Sequence, residues 1–361
     1  MEEFPTPTLV IDANVVRQNI RRLADYAGEH GIGVRPHTKT HKSRRIAELQ
    51  LDAGAVGLTI AKASEGEVIT QPGDDMLLAY PPIGEVRAER LAKLAKDRIA
   101  HAAIDSELAI ESTAAAARRA EAMVGLLVEI DIGMNRCGVA TPQQALALAQ
   151  KIDQTEGVRL DGIMCYPGHI WDARDQQGPA LAAVSAKLAE TIELWKKSGL
   201  EAKIVSSGST PTAYQSHLVP ELTEIRPGTY VYNDMNTVRG GYCELDDCAA
   251  RIVCTVISNA VAGHVVVDAG SKTLTSDLSH PAKDSGHGHL VEYPGAKIVS
   301  LSEEHGRIDM SGCDRIPKVG DRVTIIPNHI CPCVNLHDNA WWVEPNEPLQ
   351  QLHTDARGLL V

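Results

Sequence analysis

Phenylalanine occurs once in this chain of 361 residues, and aromatic residues together make up only 4%. A core built from it must rest on Val, Ile, Leu and Ala, and few side chains are left to form a stacking platform for nucleic-acid bases. Positive charge is scarce as well. Lys and Arg number 35 against 47 Asp and Glu, a formal net charge of −12, which argues against nucleic acid as the main partner. A small anionic ligand still fits this balance, because a local basic pocket can sit in an acidic protein. No apolar run approaches membrane-spanning length, so no membrane role is expected. The N-terminal MEEFPTPTLVID is acidic and has no apolar signal core. Cysteine is present, at 137, 165, 243, 248, 254, 313, 331 and 333, but irregularly spaced in a chain too large to need a disulfide framework. A reducing cytoplasm is the expected compartment. The remaining composition, 43% hydrophobic and 23% charged, is ordinary for a globular protein, and the length allows one large barrel plus a smaller module.

Apolar strand-like segments alternate with amphipathic ones through the first two thirds. Strands are expected at 8–12, 32–35, 55–59, 76–79, 100–104, 125–131, 160–165 and 203–206. Helices are expected at 13–29, 43–51, from 65 onward, 86–96, 107–121, 142–152 and 180–197. Strands that are apolar throughout imply a parallel sheet covered by helices. About eight such units before residue 235 predict an α/β fold closed as a (β/α)8 barrel rather than an open sheet. After Gly240 the pattern becomes β-like, at 249–258, 265–268, 297–300, 322–326 and 340–343, with Gly and Pro turns, which reads as an antiparallel β domain. The expected division is a barrel over 12–240 and a β domain over 241–361 plus residues 1–11.

The run RPHTKTHK over 35–42 carries the first chemical signal. Lys39 follows the first barrel strand, beside a stiffening proline and between two histidines. Basic neighbours and partial burial disfavour a charged ammonium, and a neutral amine is what imine chemistry needs. The plain alternative is a solvated basic patch. In a barrel, groups at the C-terminal ends of strands form the active site. Four further segments lie there: DIGMNRCG (131–138), YPGH (166–169), SSGSTPT (206–212) and RPGTY (226–230). The Ser/Gly/Thr run suits a phosphate: Gly208 permits close backbone approach, hydroxyls donate, and Pro211 or Thr212 can open a helix. Gly228 can add a backbone N–H. Such strings are also ordinary turns. A second signal is PNHICPC over 327–333. In a strand, i and i+2 point the same way, so His329 and Cys331 can ligate one ion, a pair that suits zinc. Cys333 is a spare on that face, with a core thiol as its expected role.

The lysine position, GMNRCG, the Gly-Ser-Thr loop and RPGTY resemble the alanine racemase fold, the third fold type of pyridoxal-phosphate enzymes, over nearly the whole chain. The motif RPHTKTHKS is similar to the branch that contains D-threonine aldolase, eukaryotic-type D-serine dehydratase and D-threo-3-hydroxyaspartate dehydratase. The resemblance implies that Lys39 holds pyridoxal 5'-phosphate as a Schiff base, with Arg136 near the ring and Tyr166 near the imine. It puts Gly208, Ser209, Thr210, Arg226, Gly228, Thr229 and Tyr230 among the cofactor-binding residues. It also implies a divalent metal, Zn or Mn, on His329 and Cys331, and a small D-β-hydroxy-amino acid as substrate. Loss of the hydroxyl proton then gives glycine and an aldehyde. Loss of the Cα proton to Lys39 gives a 2-oxo acid and ammonia. Aldolases of this branch carry a histidine base shortly after the tyrosine segment. Here Asp172 occupies roughly that position, and His169 is the candidate substitute. The segments TYVYNDM, DAGSKTLTSD, GHGHLVEYPGA and LSEEHG look closer to the aldolases, whereas Cys331 as ligand matches the dehydratases. Aldolase is the leading expectation, dehydratase the alternative, and an amino-acid racemase or a cofactor carrier the remaining rivals. A homodimer is expected by the same resemblance. Outside these segments, 268–272 reads as a structural turn, with reach into the site from a partner subunit as its alternative; His287 and His289 read as solvated or structural, with lining of the substrate entrance as theirs; 303–305 read as a turn, and Trp341 with Trp342 as packing.

Overall fold

Eight parallel strands are found among the residues described by the computed structural model, 4–280 and 283–361. The first three residues of the acidic N-terminal segment lie outside them. The strands are Gly33–Val34, Leu58–Ile60, Asp75–Leu78, Ile99–Ile104, Val124–Glu129, Val158–Met164, Ile204–Ser207 and Glu224–Ile225. They pair in chain order from the second to the eighth, and the first pairs with the eighth. Val56 N donates to Val34 O at 2.9 Å and Thr59 N to Pro36 O at 2.8 Å, which joins the first strand to the second and closes a barrel. Val124–Glu129 is buried at every position, as a parallel strand covered on both faces requires. The covering helices pack through small residues such as Ala88, Ala92 and Ala116, so close approach takes the place of aromatic bulk. The helix Pro142–Asp153 starts where its sequence says it should: Thr141 caps Gln144, Gln144 returns the bond, and Pro142 takes a position with no N–H to lose.

One barrel strand was not expected. Glu224–Ile225 is two residues long, and one of them is an acid, so it leaves no apolar signature. The strand expected at 8–12 forms as Thr8–Asp12 and pairs in the other sheet, in line with the expected grouping of residues 1–11 with the β domain.

Charge fills one layer of the barrel interior. Arg35 Nε donates to Glu224 Oε1 and Oε2 at 2.9 and 2.8 Å, and Arg35 Nη1 to Asp75 Oδ1 at 2.5 Å. His101 Nδ1 lies 2.7 Å from Asp161 Oδ2, its Nε2 lies 3.2 Å from Asp75 Oδ1, and Arg159 Nε donates to Asp161 Oδ1 at 2.5 Å. Two glycines make room. A Cβ on Gly125 would stand 1.6 Å from Asp161 Oδ2, and one on Gly57 would stand 2.3 Å from Arg35 Nη1. The neighbouring cluster is apolar, made by Leu77, Ala103, Leu127 and Met164.

The barrel unit comprises Arg21–Lys39, Arg44–Gly228 and Gly358–Val361; the other unit is the chain up to Ile20, Thr40–Ser43 and Thr229–Arg357. The latter holds a nine-stranded sheet that is antiparallel except where Thr8–Asp12 runs parallel to Asn339–Val343. Thr6 Oγ1 donates to Asp268 Oδ2 at 2.7 Å next to the strand Thr8–Asp12. Trp342 is fully buried and Trp341 stacks on Phe4 at 6.0 Å, the packing role expected of that pair. The strand expected to carry His329 and Cys331 ends earlier, at Pro327, and Ile330–Val334 forms a helical turn with His329 as its N-cap. Pro332 explains the difference, because it cannot donate to a strand ladder but is tolerated in the first turn of a helix. No helix among the described residues is long and apolar enough to cross a membrane.

The barrel's ion network sets two expectations. Burial opposes charge on His101, but Asp161 and Asp75 outweigh it and hold its pKa above the usual imidazole value. Burial likewise pushes Asp75 and Asp161 upward, yet His101 and the arginines hold both below the usual carboxylate range. The His101 contribution to stability is therefore complete below about pH 6.5 and is lost as pH rises through its folded value. The carboxylate contributions are complete above about pH 4 and are lost as pH falls through their folded values. Urea midpoints measured against pH should form a plateau between these limits, and His101→Leu should flatten the alkaline decline. Glu224→Ala, which strips Arg35 of one partner, should cost about 3–5 kcal/mol in the same assay.

Candidate active site

Lys39 sits in the turn Thr38–Thr40, just after the first barrel strand. His37 N donates to Pro227 O at 3.0 Å and Thr38 Oγ1 to Thr59 O at 3.1 Å, so the backbone on its N-terminal side is pinned to two other barrel segments. Lys39 Nζ lies 6.0 Å from the centre of the Tyr166 ring, and the Arg136 guanidinium lies 4.7 Å from the same ring. Three of the expected cofactor residues thus meet at the C-terminal face of the barrel. Tyr166 is held close to its own loop, where a Cβ on Gly168 would fall 2.2 Å from Tyr166 Cε1. The loop bearing Arg136 turns through Gly133 (φ +118°) and Asn135 (φ +53°), and Asp131 Oδ1 accepts from both backbone N–H groups at 3.3 and 2.9 Å. His169 lies against that loop, with Nε2 2.8 Å from where a Gly133 Cβ would be. Asp172 is exposed, and its carbonyl accepts from Gln177 Nε2 at 3.1 Å.

In the Ser/Gly/Thr run, Gly208 adopts φ +88°, and a Cβ there would stand 2.9 Å from Ile225 Cβ. Ser209 N donates to Thr212 Oγ1 at 3.1 Å, and Thr210 is half-buried. The segment that follows, Ala213–Leu218, is a 3-10 helix. Arg226 is buried beneath these loops: Nη1 donates to Ser206 Oγ at 2.5 Å and Nη2 to Cys165 O at 2.8 Å, while burial lowers its pKa. Gly228 is also buried. A primary amine, a backbone open to close approach, hydroxyl donors and two arginines form a set that fits pyridoxal phosphate.

Sequence reasoning missed Glu129. It ends a barrel strand and is 4% exposed; burial raises its carboxyl pKa against the pull of Arg226 and Arg136. Its signal was an acid closing an otherwise apolar strand.

In the other unit, His329 and Cys331 come together, through a helical turn rather than strand alternation. His329 Nδ1 lies 3.0 Å from Asp277 Oδ2. Cys331 Sγ lies 3.2 Å from Thr40 Oγ1 and 3.5 Å from Thr229 Oγ1. Burial opposes a charged His329, but its hydrogen bond to Cys331, the thiolate charge and the carboxylates of Asp234 and Asp277 push the pKa up to about 9. Cys333 does not share their face. It is buried, donates to Thr273 O at 3.2 Å, and has its thiol pKa raised to about 12 by burial. Tyr230 is buried as well. No cluster of three or more metal-ligating side chains occurs among the described residues; the imidazole and thiol of this pair are donors of a kind that fits a soft or borderline divalent ion.

The model of the alanine racemase N-terminal domain matches residues 11–236, more than half of the chain. The chain belongs to this family of fold-type III pyridoxal-phosphate enzymes. A serine dehydratase domain model matches residues 249–343. Within the family, the chain is 30% identical to 3-hydroxy-D-aspartate aldolase of Paracoccus denitrificans, over 94% of this chain and 88% of the relative. It is equally 30% identical to D-threo-3-hydroxyaspartate dehydratase of Delftia sp., over 90% of each. The structure of D-threonine aldolase from Filomicrobium marinum superposes with a TM-score of 0.89 at 29% identity, covering 99% of this chain and 97% of that one. A D-threo-3-hydroxyaspartate dehydratase, solved as a cysteine-to-alanine mutant in the metal-free form, gives a TM-score of 0.87 at 26% identity, covering 98% of both chains.

The fit of the Ser/Gly/Thr loop to the family cofactor rests on Gly208. Gly208→Ala forces a positive φ on a side chain that also meets Ile225, and should cost about 1–3 kcal/mol in denaturant unfolding. Ser209→Ala, which leaves the backbone path intact, should cost less.

Proposed function

We propose that this enzyme is a pyridoxal-phosphate-dependent, divalent-metal-assisted lyase of D-β-hydroxy-amino acids, with retro-aldol cleavage to glycine and an aldehyde as its main reaction. The observation that carries the reading is the pairing, in one chain, of Lys39 beside Tyr166 and Arg136 with the imidazole–thiol set of His329 and Cys331. Amine chemistry alone would serve a racemase, which has no use for a metal pair.

Each residue then has a task. Lys39 Nζ anchors the cofactor and exchanges the proton at the substrate Cα. Arg136 and Tyr166 orient the cofactor ring and exclude water from one side of it. Ser209, Thr210 and the N–H groups of Gly228 and Thr229 bind its phosphate, while buried Arg226 and Tyr230 support that pocket. When bound, the cofactor supplies the electron sink for bonds broken at Cα. His329 and Cys331 hold Zn or Mn, an ion that lowers the pKa of a hydroxyl it contacts. His169 and Asp172 are the candidates to take the proton from that hydroxyl.

One observation favours a second outcome. The thiol of Cys331 is the ligand type that the resemblance assigns to dehydratases, and a related dehydratase has been solved metal-free as a cysteine mutant. Elimination to a 2-oxo acid and ammonia is therefore the alternative at the same site. The reading takes the enzyme to be a cytoplasmic homodimer. No disulfide joins the eight cysteines among the described residues, which agrees with a reducing compartment, and a monomer in sedimentation velocity would remove the dimer.

Product analysis decides the chemistry. The protein, loaded with pyridoxal phosphate and with Zn or Mn, is offered D-threonine, D-phenylserine, D-serine and D-threo-3-hydroxyaspartate in separate reactions. Glycine with an aldehyde is expected; a 2-oxo acid with ammonia would establish the dehydratase instead, and the enantiomer alone a racemase. Lys39→Ala should lower kcat by about 100- to 10,000-fold, and chelation of the metal should reversibly suppress the same activity.

A further inference from the structure

Residues 275–277 follow a backbone path that their sequence does not favour. Thr275 closes the helical turn Ser271–Leu274 with φ 71° and ψ 170°, a region essentially confined to glycine and especially unfavourable for a β-branched side chain. Its surroundings impose that path. Ser271 N and Lys272 N donate to the carbonyls of Ser302 and Glu303 at 2.8 and 3.1 Å, and a Cβ on Gly270 would lie 2.3 Å from Glu303 O. Thr273 O accepts from Cys333 Sγ at 3.2 Å and lies 3.1 Å from His337 Nε2. Asp277 N then donates to Thr275 Oγ1 at 3.3 Å, and Asn328 Nδ2 donates to Asp277 O at 3.1 Å. Asn328 is itself tied to Arg239 Nη1 at 2.8 Å and Gly286 O at 2.7 Å. The outcome is a carboxylate delivered to one edge of one ring, with Asp277 Oδ2 3.0 Å from His329 Nδ1.

We infer that Asp277 is a positioning residue for the metal centre: its carboxylate accepts the hydrogen bond from His329 Nδ1–H, fixes the ring's tautomer and tilt, and leaves Nε2 as the donor to the ion. The inference rests on the proposed metal site at His329 and Cys331. With its carboxylate on Nδ1, Asp277 would act behind the imidazole, leaving Nε2 for an ion, rather than as a third ligand. A metal-bound imidazole oriented through its second nitrogen by a carboxylate is a recurrent arrangement, and it raises the basicity of the donor nitrogen. The hydroxyls of Thr40 and Thr229 do the corresponding work at Cys331, at 3.2 and 3.5 Å from the sulfur. Both donors are therefore oriented from behind before any ion arrives.

The test is zinc affinity of the full-length, pyridoxal-phosphate-loaded protein, measured by competition with a chromogenic chelator. His329→Ala should abolish tight binding. Asp277→Ala should weaken it by about 10- to 100-fold, with the cofactor absorbance and thermal midpoint unchanged. Asp277→Asn, whose amide oxygen can still accept from Nδ1–H, should weaken it less. Activity of Asp277→Ala should be low at limiting zinc and recover at saturating zinc, which a general loss of structure would not allow. If His329→Ala loses zinc while Asp277→Ala binds it as wild type does, the positioning role is overturned and the metal site stands. If His329→Ala also binds as wild type does, both are overturned. Should Asp277→Ala unfold, Asp277→Asn decides: weakened binding at an unchanged midpoint supports the role, and unchanged binding overturns it.

Discussion

Arg35 occupies a place where burying a charge is expensive, and the barrel is arranged around satisfying it. A chain with so few aromatics has little bulk to fill the inside of a closed sheet. The inner layer at Arg35 is instead filled by Arg35 and His101 against Asp75, Asp161 and Glu224, and half-exposed Arg159 closes its edge on Asp161, so that three cationic groups match three carboxylates. Such a cluster is tolerable only when every charge has its partner, because desolvation of an unmatched ion outweighs what the remaining contacts return. The raised imidazole pKa of His101 follows directly, since a neutral ring would leave the layer short of positive charge. Gly57 and Gly125 follow too. Any side chain at either position would occupy the space of a guanidinium or a carboxylate.

The same network reaches the candidate site. Glu224 Oε1 accepts from Arg35 and from Ser206 Oγ at 2.6 Å, and Ser206 Oγ in turn accepts from Arg226 Nη1. Arg226 is thereby fixed from below while its other arm holds Cys165 O. One of the two shortest barrel strands, Glu224–Ile225, thus links the interior charges to the loops.

That strand shows why part of the fold was hidden in the sequence. Periodicity finds elements that bury apolar residues, and it located the helix Ala13–Glu29 and seven of the barrel strands by that signal. Glu224–Ile225 is stabilised by what its acid pairs with, and nothing local reports that. The His329–Cys331 pair was legible as donor chemistry but not as geometry, because Pro332 converts an apparent strand into a turn. Asp277 could not be read at all as a neighbour of His329. The two are 52 residues apart, and only the constrained turn at Thr275 brings them together. Lys39, Tyr166 and Arg136 could be grouped in advance because each follows a strand of one barrel, where chain order predicts proximity.

How the loops at the barrel mouth are cross-linked bears on what can move during a reaction there. Gln177 is fully buried, and its amide nitrogen donates to Asp172 O at 3.1 Å and to Pro211 O at 3.0 Å. One side chain therefore ties the segment that carries His169 and Asp172 to the Ser/Gly/Thr loop. On its other side, the His169 ring rests on Gly133 in the loop that carries Arg136, whose first residue, Asp131, has its carbonyl held by Lys187 Nζ at 2.6 Å. Three catalytic-face loops are thus braced against one another without a shared secondary structure. On the assignment proposed above, a base at His169 or Asp172 stands on this brace, so its place relative to Tyr166 and Arg136 is set by Gln177 and by the contact with Gly133.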